Sequence, residues 1–311
     1  MNDRGEIAPE ITTAEKMGYP ADARLLIINA DDFGMCHDEN EATIIGLTQG
    51  LFTSSTILTT CPWFEEAAEF ACNTPKADLG VHLTLNSEWE RYKWGPVLGR
   101  TDVPSLTDAR GYLWADVPSV FEHDRLEEVE IELEAQIEKA IAAGIDITHL
   151  DCHMGPLHLR ADYHRIYLKL ALDFRLPIRL TSRRLMRQRG MGVILDELDC
   201  NGIFYPDNLM RAAPKNLDET ESSWNELLRN LTPGISEIYC HPALARQELK
   251  SCARDWAQRQ RDFEYFTSEK TRQLLNDEGI ELIGYRKLRD AMNVASNGAS
   301  VSDPPSLRGK G

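Results

Sequence analysis

Short apolar segments rich in β-branched residues alternate with amphipathic helical segments along most of this chain. Each apolar segment is four to seven residues long, a length that suits strands buried on both faces. Alternation of strands and helices requires parallel strands joined by helical crossovers, so we expect an α/β fold. The predicted strands are Leu25–Ala30, Ser54–Thr59, Leu79–Leu85, Ile145–Leu150, Pro177–Leu180, Ile235–Cys240 and Ile280–Ile283.

The number of strand–helix units favours a single distorted (β/α) barrel of seven or eight parallel strands, with an open doubly wound sheet as the alternative. We expect the barrel to span residues 23–292. Residues 86–124 are rich in turn residues and should form an extended loop over one end of the barrel. Residues 1–22 lack periodicity and are predicted to be a flexible extension, and the Ser-, Gly- and Pro-rich residues 293–311 a disordered tail.

The charge and the cysteines of the chain limit its partners and its compartment. A formal net charge of −16 repels phosphate backbones and anionic lipids, so we expect neither nucleic acid nor a membrane as partner. The seven cysteines are scattered and form no C-x-x-C pair, which argues against a disulfide framework and against a zinc–thiolate site. A reducing cytoplasm is the expected compartment.

Residues that can carry chemistry follow the carboxyl ends of five predicted strands. In a barrel or a parallel sheet these ends meet at one edge, where active sites form. One carboxylate and two neutral imidazoles bind a divalent cation and leave positions open for water and substrate. The pattern therefore predicts metal-assisted hydrolysis. The residues are Asp31 and Asp32, then His82, then His149, Asp151 and His153, then Arg179, and finally His241.

The adjacent aspartates Asp31 and Asp32 are the strongest part of this pattern. Two neighbouring carboxylates at a buried strand end repel each other and lose hydration. A divalent cation removes that cost, with one aspartate as its ligand while the other handles protons.

Each candidate also has an ordinary structural interpretation. The aspartate pair could form a turn and a helix N-cap, and His82 could be a core histidine. Arg179 could form an ion pair as readily as it could bind an oxyanion or a carboxylate. His241 could belong to a loop without a catalytic role, and His158 could simply be the first residue of the next helix. Recurrence at strand ends favours the functional interpretation.

The predicted loop over the barrel is rich in aromatic residues. Aromatic faces in a polar cleft suit the apolar faces of sugar rings. The same side chains could equally pin the loop to the barrel. They are Trp89, Tyr92, Trp94, Tyr112 and Trp114.

Four motifs resemble those of the YdjC-like carbohydrate deacetylase family, which includes chitooligosaccharide deacetylases. The resemblance covers about Leu25 to Asp290. Many family members continue the third motif with further histidines, whereas here the motif leads into MGPLH at 154–158. This departure affects the substrate more than the reaction. The motifs are INADDFG at 28–34, LGVHLTL at 79–85, THLDCH at 148–153 and CHP at 240–242.

The resemblance implies a distorted barrel of the polysaccharide-deacetylase type and hydrolysis of N-acetyl groups on amino sugars or short oligosaccharides. It implies a divalent metal held by Asp32, His82 and His153, with Asp31 as general base. Oxygen and imidazole ligands admit Mg²⁺ or Zn²⁺, among others. The expected partner is an N-acetylated saccharide, and a homodimer is plausible from the resemblance alone.

The remaining roles are our own hypotheses. His241 is the candidate general acid for the leaving amine, with His158 as the alternative, and Arg179 could help to stabilise the oxyanion. Two other functions stay open: a metal-independent glycosidase with paired carboxylates, and a non-catalytic sugar-binding protein. Neither explains why histidines recur at strand ends opposite an aspartate pair.

Overall fold

Seven parallel strands within the described residues form one sheet that curls into an incomplete barrel. The computed structural model describes residues 11–299 of the chain, with side chains to residue 294. The strands are β1 (Arg24–Phe33), β2 (Ser54–Ile57), β3 (Leu79–Leu83), β4 (Ile147–Cys152), β5 (Asn208–Met210), β6 (Gly234–Cys240) and β7 (Glu281–Leu282). Their order is β4-β3-β2-β1-β6-β5, and β7 pairs with β1.

The barrel is distorted because one predicted strand is reduced to a single bridge. Within the predicted strand Pro177–Leu180, only Ile178 pairs with Leu150 of β4. The Ile178 amide also donates to the carbonyl of Phe204 at 3.2 Å, so the segment is bonded to β4 on one side and to the residues before β5 on the other. The short strand β5 was not expected. The prediction of a single distorted barrel of parallel strands is confirmed.

Helices cover the outside of the sheet and connect its strands. The longest of those described, α5, buries one apolar stripe that includes Val129, Leu133 and Ile137. None of the described helices is long and apolar enough to cross a bilayer. The helices are α1 (Thr13–Lys16), α2 (His37–Thr48), α3 (Phe64–Asn73), α4 (Val117–His123), α5 (Leu126–Ala142), α6 (Ala161–Phe174), α7 (Arg183–Gln188), α8 (Gly192–Cys200), α9 (Thr220–Arg229), α10 (Gln247–Cys252), α11 (Trp256–Phe266), α12 (Glu269–Asp277) and α13 (Tyr285–Ala299).

Strand β1 is buried on both faces. The alternation of its side chains places polar residues on one of these faces. Leu26 and Ile28 belong to one hydrophobic cluster, whereas Leu25 and Ile27 belong to another. Because side chains two residues apart share a face, Asn29 follows Leu25 and Ile27 on the same side. This side carries the polar residues of the barrel interior.

The chain before β1 is ordered from residue 11 onward, which differs from the flexible extension expected over residues 1–22. Helix α1 begins with a capping box in which Thr12 and Glu15 bond each other's backbone amides. Ala14 is buried, and the Thr13 amide donates to Asp207 at 2.7 Å. Local capping and one buried carboxylate therefore fix a segment that shows no hydrophobic periodicity.

The predicted tail also differs in its described part. Residues 293–299 continue helix α13, so the boundary expected at residue 293 falls inside a helix. Residues 1–10 and 300–311, on which the rest of the two terminal predictions falls, lie outside the described residues.

We predict that Gly80→Ala destabilises the barrel. A Cβ at Gly80 would lie 2.7 Å from the backbone oxygen of His149 and 2.6 Å from its ring. Since backbone atoms move only with the strand, β3 and β4 would separate, at a cost of about 1–3 kcal/mol. Thermal unfolding should show a lower midpoint, and an unchanged midpoint would contradict this close packing.

Candidate metal centre

A β-bulge at the end of β1 directs the side chains of Asp31 and Asp32 into the same cavity. In a regular strand, neighbouring side chains point to opposite faces. The register between β1 and β2 shifts between Ala30 and Phe33, which places an extra residue on β1. Asp32 also adopts a left-handed conformation with φ of 70°, uncommon outside glycine. Both carboxylates consequently line the same cavity.

Asp32, His82 and His153 converge so that their ligand atoms lie within 4.8 Å of one another. The Oδ1 atom of Asp32 is 3.2 Å from His153 Nδ1 and 3.4 Å from His82 Nε2. This oxygen is buried and has no hydrogen-bond partner among the described residues. A buried carboxylate oxygen without a partner is costly, and a divalent cation between it and the two imidazoles would satisfy it. The three residues fit such an ion.

A carboxylate holds the second ring nitrogen of each imidazole. His82 Nδ1 is 2.5 Å from Oδ1 of Asp151, its direct neighbour in the pairing of β3 with β4. His153 Nε2 is 2.9 Å from Oε2 of Glu88. Carboxylates in this position fix the tautomer and the orientation of metal-binding histidines. Both rings are therefore held with one nitrogen facing Asp32.

Arg259 of helix α11 balances Asp32 from its other side. Its Nη1 donates to Asp32 Oδ2 at 3.0 Å and also to Glu39. Burial opposes ionisation of Asp32, but His153, His82 and Arg259 outweigh it and hold the pKa of this carboxyl well below its usual value. Asp32 is thus an ionised group with one oxygen anchored and the other facing the imidazoles.

Arg179 binds Asp31 in a bidentate ion pair through the two terminal nitrogens of its guanidinium group. Nη1 donates to Asp31 Oδ2 at 2.8 Å and Nη2 donates to Oδ1 at 2.7 Å. Nη1 is also 2.8 Å from Asp151, and Nε donates to Glu237 at 2.8 Å. Burial raises the pKa of Asp31, but Arg179 outweighs burial and lowers it. Carboxylates engage all three nitrogens, so the geometry supports a positioning role for Arg179; the oxyanion contact stays a prediction.

Two further histidines line the cavity. His241 Nε2 is 4.0 Å from Asp32 Oδ2, and burial lowers the pKa of His241 to about 4. Both ring nitrogens of His158 are buried without a hydrogen-bond partner among the described residues, and burial lowers its pKa to about 3. Of these two candidate acids, His241 is the one that lies beside the ligand set.

His149 does not join the other strand-end histidines. Its ring stacks on Tyr285 with centroids 3.7 Å apart and planes at 6°, and its Nδ1 is 2.9 Å from the hydroxyl of Thr148. It is fully buried and is not among the residues that line the cavity. His149 is therefore a packing residue, whereas Asp31, Asp32, His82, His153, Arg179 and His241 all line one cavity.

Most aromatic residues of the loop over the barrel pin that loop in place. Trp94 is buried and donates to the Asn86 carbonyl at 3.1 Å. Trp114 stacks on His123 with ring centroids 4.0 Å apart. Of the five aromatics, Trp89 is the one among the residues that line the cavity. The cavity has a volume of about 850 Å³ and is also lined by residues 250–256, from the end of α10 to the start of α11.

Comparison with known proteins identifies the family. The model of the family described as YdjC-like protein matches residues 25–277, which include both aspartates, both proposed histidine ligands and His241. The chain belongs to the YdjC-like protein family. The resemblance inferred from the four motifs is thereby confirmed.

Relatives of this YdjC-like protein match it over most of their length. A carbohydrate deacetylase of Enterococcus faecalis V583 is 32% identical over 85% of this chain and 97% of its own. A chitooligosaccharide deacetylase of Yersinia enterocolitica is 30% identical over 85% of this chain and 96% of its own. A crystal structure from Enterococcus faecalis V583, provisionally described as a cellobiose-phosphate cleavage protein, is 31% identical with a TM-score of 0.74, over 86% and 99% of the two chains.

Three charged residues of the YdjC-like site were not found by sequence reasoning. Glu237 left a visible signal, since it is a lone charge in the apolar strand β6. Glu88 lies in a loop and Arg259 in a helix rich in charged residues, so nothing in their surroundings marks them. Their contacts with His153 and Asp32 depend on the tertiary fold.

We predict that His82→Ala and His153→Ala each lower the affinity for a divalent cation at least about 100-fold, since each removes a ligand atom. Metal content after equilibrium dialysis and circular dichroism would measure loss of the ion and retention of the fold. His164→Ala, which removes a buried histidine outside the ligand set, serves as the control. Undiminished metal content in either ligand variant would refute its assignment.

We predict a smaller loss, about 10-fold, for Glu88→Gln, because the amide still reaches His153 but no longer attracts it as an anion. Isothermal titration with the metal ion measures the change. Glu90→Gln provides a matched control, since Glu90 lines the same cavity and pairs with exposed Arg254. Equal affinities for the two variants would show that Glu88 does not orient His153.

Proposed function

We propose that this protein is a metal-dependent carbohydrate deacetylase that hydrolyses the N-acetyl groups of amino sugars or short oligosaccharides. The observation that carries the proposal is the unpartnered oxygen of Asp32, which faces two oriented imidazoles next to ionised Asp31. Relatives named as carbohydrate and chitooligosaccharide deacetylases support the substrate class.

Asp32, His82 and His153 would hold the divalent cation. When bound, such an ion supplies Lewis acidity that polarises an amide carbonyl and makes a nearby water more acidic. Imidazole suits Zn²⁺ and carboxylate suits Mg²⁺, so the mixed ligand set admits both.

Asp31 is the proposed general base. It accepts hydrogen bonds from two nitrogens of Arg179 and from Asn29 at 2.8 Å. A carboxylate offers about four acceptor positions, so one position remains for a water in the cavity. Ionised Asp31 takes the proton of that water as the water attacks the acetamido carbonyl. Arg179 keeps the carboxylate oriented during this step.

His241 is the proposed general acid. The amine leaves only after its nitrogen gains a proton, and no described residue hydrogen-bonds the ring nitrogens of His241, which leaves them open to the cavity. Because burial lowers its pKa to about 4, the protonated imidazole is a strong donor. The proton that Asp31 takes from water passes to His241, which lies in the same cavity, and His241 delivers it to the leaving nitrogen as the C–N bond breaks.

The compartment and the assembly are also proposals. All seven cysteines are free thiols, which supports a reducing cytoplasm. The homodimer and the lack of nucleic-acid binding stay predictions, the first from the family resemblance and the second from the net charge of −16.

We predict that Asp31→Asn lowers acetate release from N-acetylated oligosaccharides at least about 100-fold, because the amide cannot accept the proton of water. Metal content should be unchanged, since Asp31 is not in the proposed ligand set. Glu90→Gln, a carboxylate change in the same cavity, should keep wild-type activity. Activity of Asp31→Asn within tenfold of the wild type would remove Asp31 as the base.

We predict that chelation abolishes acetate release and that added divalent cation restores it, because the Lewis acid is lost and regained. A coupled acetate assay before and after dialysis against a chelator provides the measurement. Release of reducing sugar that survives chelation would instead support a glycosidase. Saccharide binding without either product would support a sugar-binding protein.

A further inference from the structure

The cavity extends beyond what hydrolysis of an acetamido group requires. Its volume of about 850 Å³ lies in the upper part of the range for small-molecule sites, about 300–1,000 Å³. The proposed reaction uses the residues at the strand ends of the barrel. Residues 250–256 form another part of the wall and have no role in that reaction, so this part is available for the rest of the substrate.

Trp256 presents an accessible aromatic ring in this second part of the wall. The other tryptophan of the cavity, Trp89, is buried under Arg259, whose guanidinium lies 5.2 Å from its ring, and its indole nitrogen donates to Glu88. Trp256 is 36% exposed, and its indole nitrogen makes no hydrogen bond to the described residues. Its ring is therefore free to contact a ligand.

Lys250 completes this surface with hydrogen-bond donors. Its Nζ lies 4.9 Å from the centroid of the Trp256 ring, and no carboxylate among the described residues pairs with it. An ammonium group has three donors, and its attraction to the ring is a cation–π interaction. An apolar face beside free donors matches a pyranose ring, which has C–H faces and hydroxyl edges.

We propose that Trp256 and Lys250 form a saccharide-binding subsite for the sugar ring next to the one that carries the scissile acetamido group. This inference rests on the proposed deacetylase function and adds a determinant of chain length to it. The subsite makes the protein selective for disaccharides and longer oligosaccharides over monosaccharides.

Steady-state acetate release tests the subsite, with N-acetylglucosamine and its β-1,4-linked dimer as substrates. For Trp256→Ala we expect KM for the dimer to rise about tenfold, the upper range for an aromatic contact. kcat for the dimer and both constants for the monosaccharide should stay within about twofold. Trp256→Phe should retain most of the affinity, and Lys250→Met should raise KM for the dimer by about threefold.

Tyr112→Ala is the matched control. Tyr112 is also 36% exposed and also pairs with a cation, Arg110, at 5.3 Å, but it is not among the residues that line the cavity. The selectivity of the Tyr112→Ala variant for the dimer over the monosaccharide should equal that of the wild type.

Binding of the dimer, followed by tryptophan fluorescence, separates the subsite from the reaction. Weaker binding to Trp256→Ala than to the wild type supports the subsite even if no acetate is released, and the deacetylase function alone would then fail. Wild-type selectivity in Trp256→Ala overturns the subsite while leaving the deacetylase function intact. A wild type that neither binds nor deacetylates the dimer also overturns the subsite.

Discussion

Buried negative charge at the carboxyl end of β1 determines how the rest of this structure is arranged. An ionised carboxylate that is removed from water without a partner costs several kcal/mol or more. Arg179 and Arg259 reach this region and pair with carboxylates there. The imidazoles of His82 and His153 face Oδ1 of Asp32, an oxygen that neither arginine contacts. The charge belongs to Asp31 and Asp32, and the arginines also contact the carboxyl groups of Glu39, Asp151 and Glu237, all buried.

Ion pairs of the same residues also link strands near residues 177–180, where strand pairing is sparse. Residues 177–180 contribute only one bridge to the sheet, with backbone hydrogen bonds to Leu150 and Phe204. Arg179 in this segment, however, binds Asp31 of β1, Asp151 of β4 and Glu237 of β6. One guanidinium group thus links three strands across the interior, and its rigid donors fix their mutual orientation. The ion pairs that order the proposed base also hold β1, β4 and β6 together around the barrel interior.

The sequence predicted the parts of this protein that depend on local pattern and on the common direction of parallel strands. Asp32, His82 and His153 were found because the carboxyl ends of parallel strands meet at one edge. Arg259 and Glu88 could not be found, since their partners are set by a helix and a loop whose approach leaves no local signal. Helix α1 was missed because it is only four residues long and lacks hydrophobic periodicity, and because Asp207, which bonds it, lies nearly two hundred residues away. The bulge that turns both aspartates inward is a property of the pairing with β2 and not of β1 alone.

The two arginines that neutralise the aspartate pair come late in the chain, and this has a consequence for synthesis. A nascent polypeptide that has just released residue 153 from the ribosome already contains Asp32, His82 and His153, but neither guanidinium group. Asp31 and Asp32 then lack the two arginines that pair with them in the folded protein. The aspartate pair therefore gains both of its guanidinium partners only after helix α11 has been synthesised.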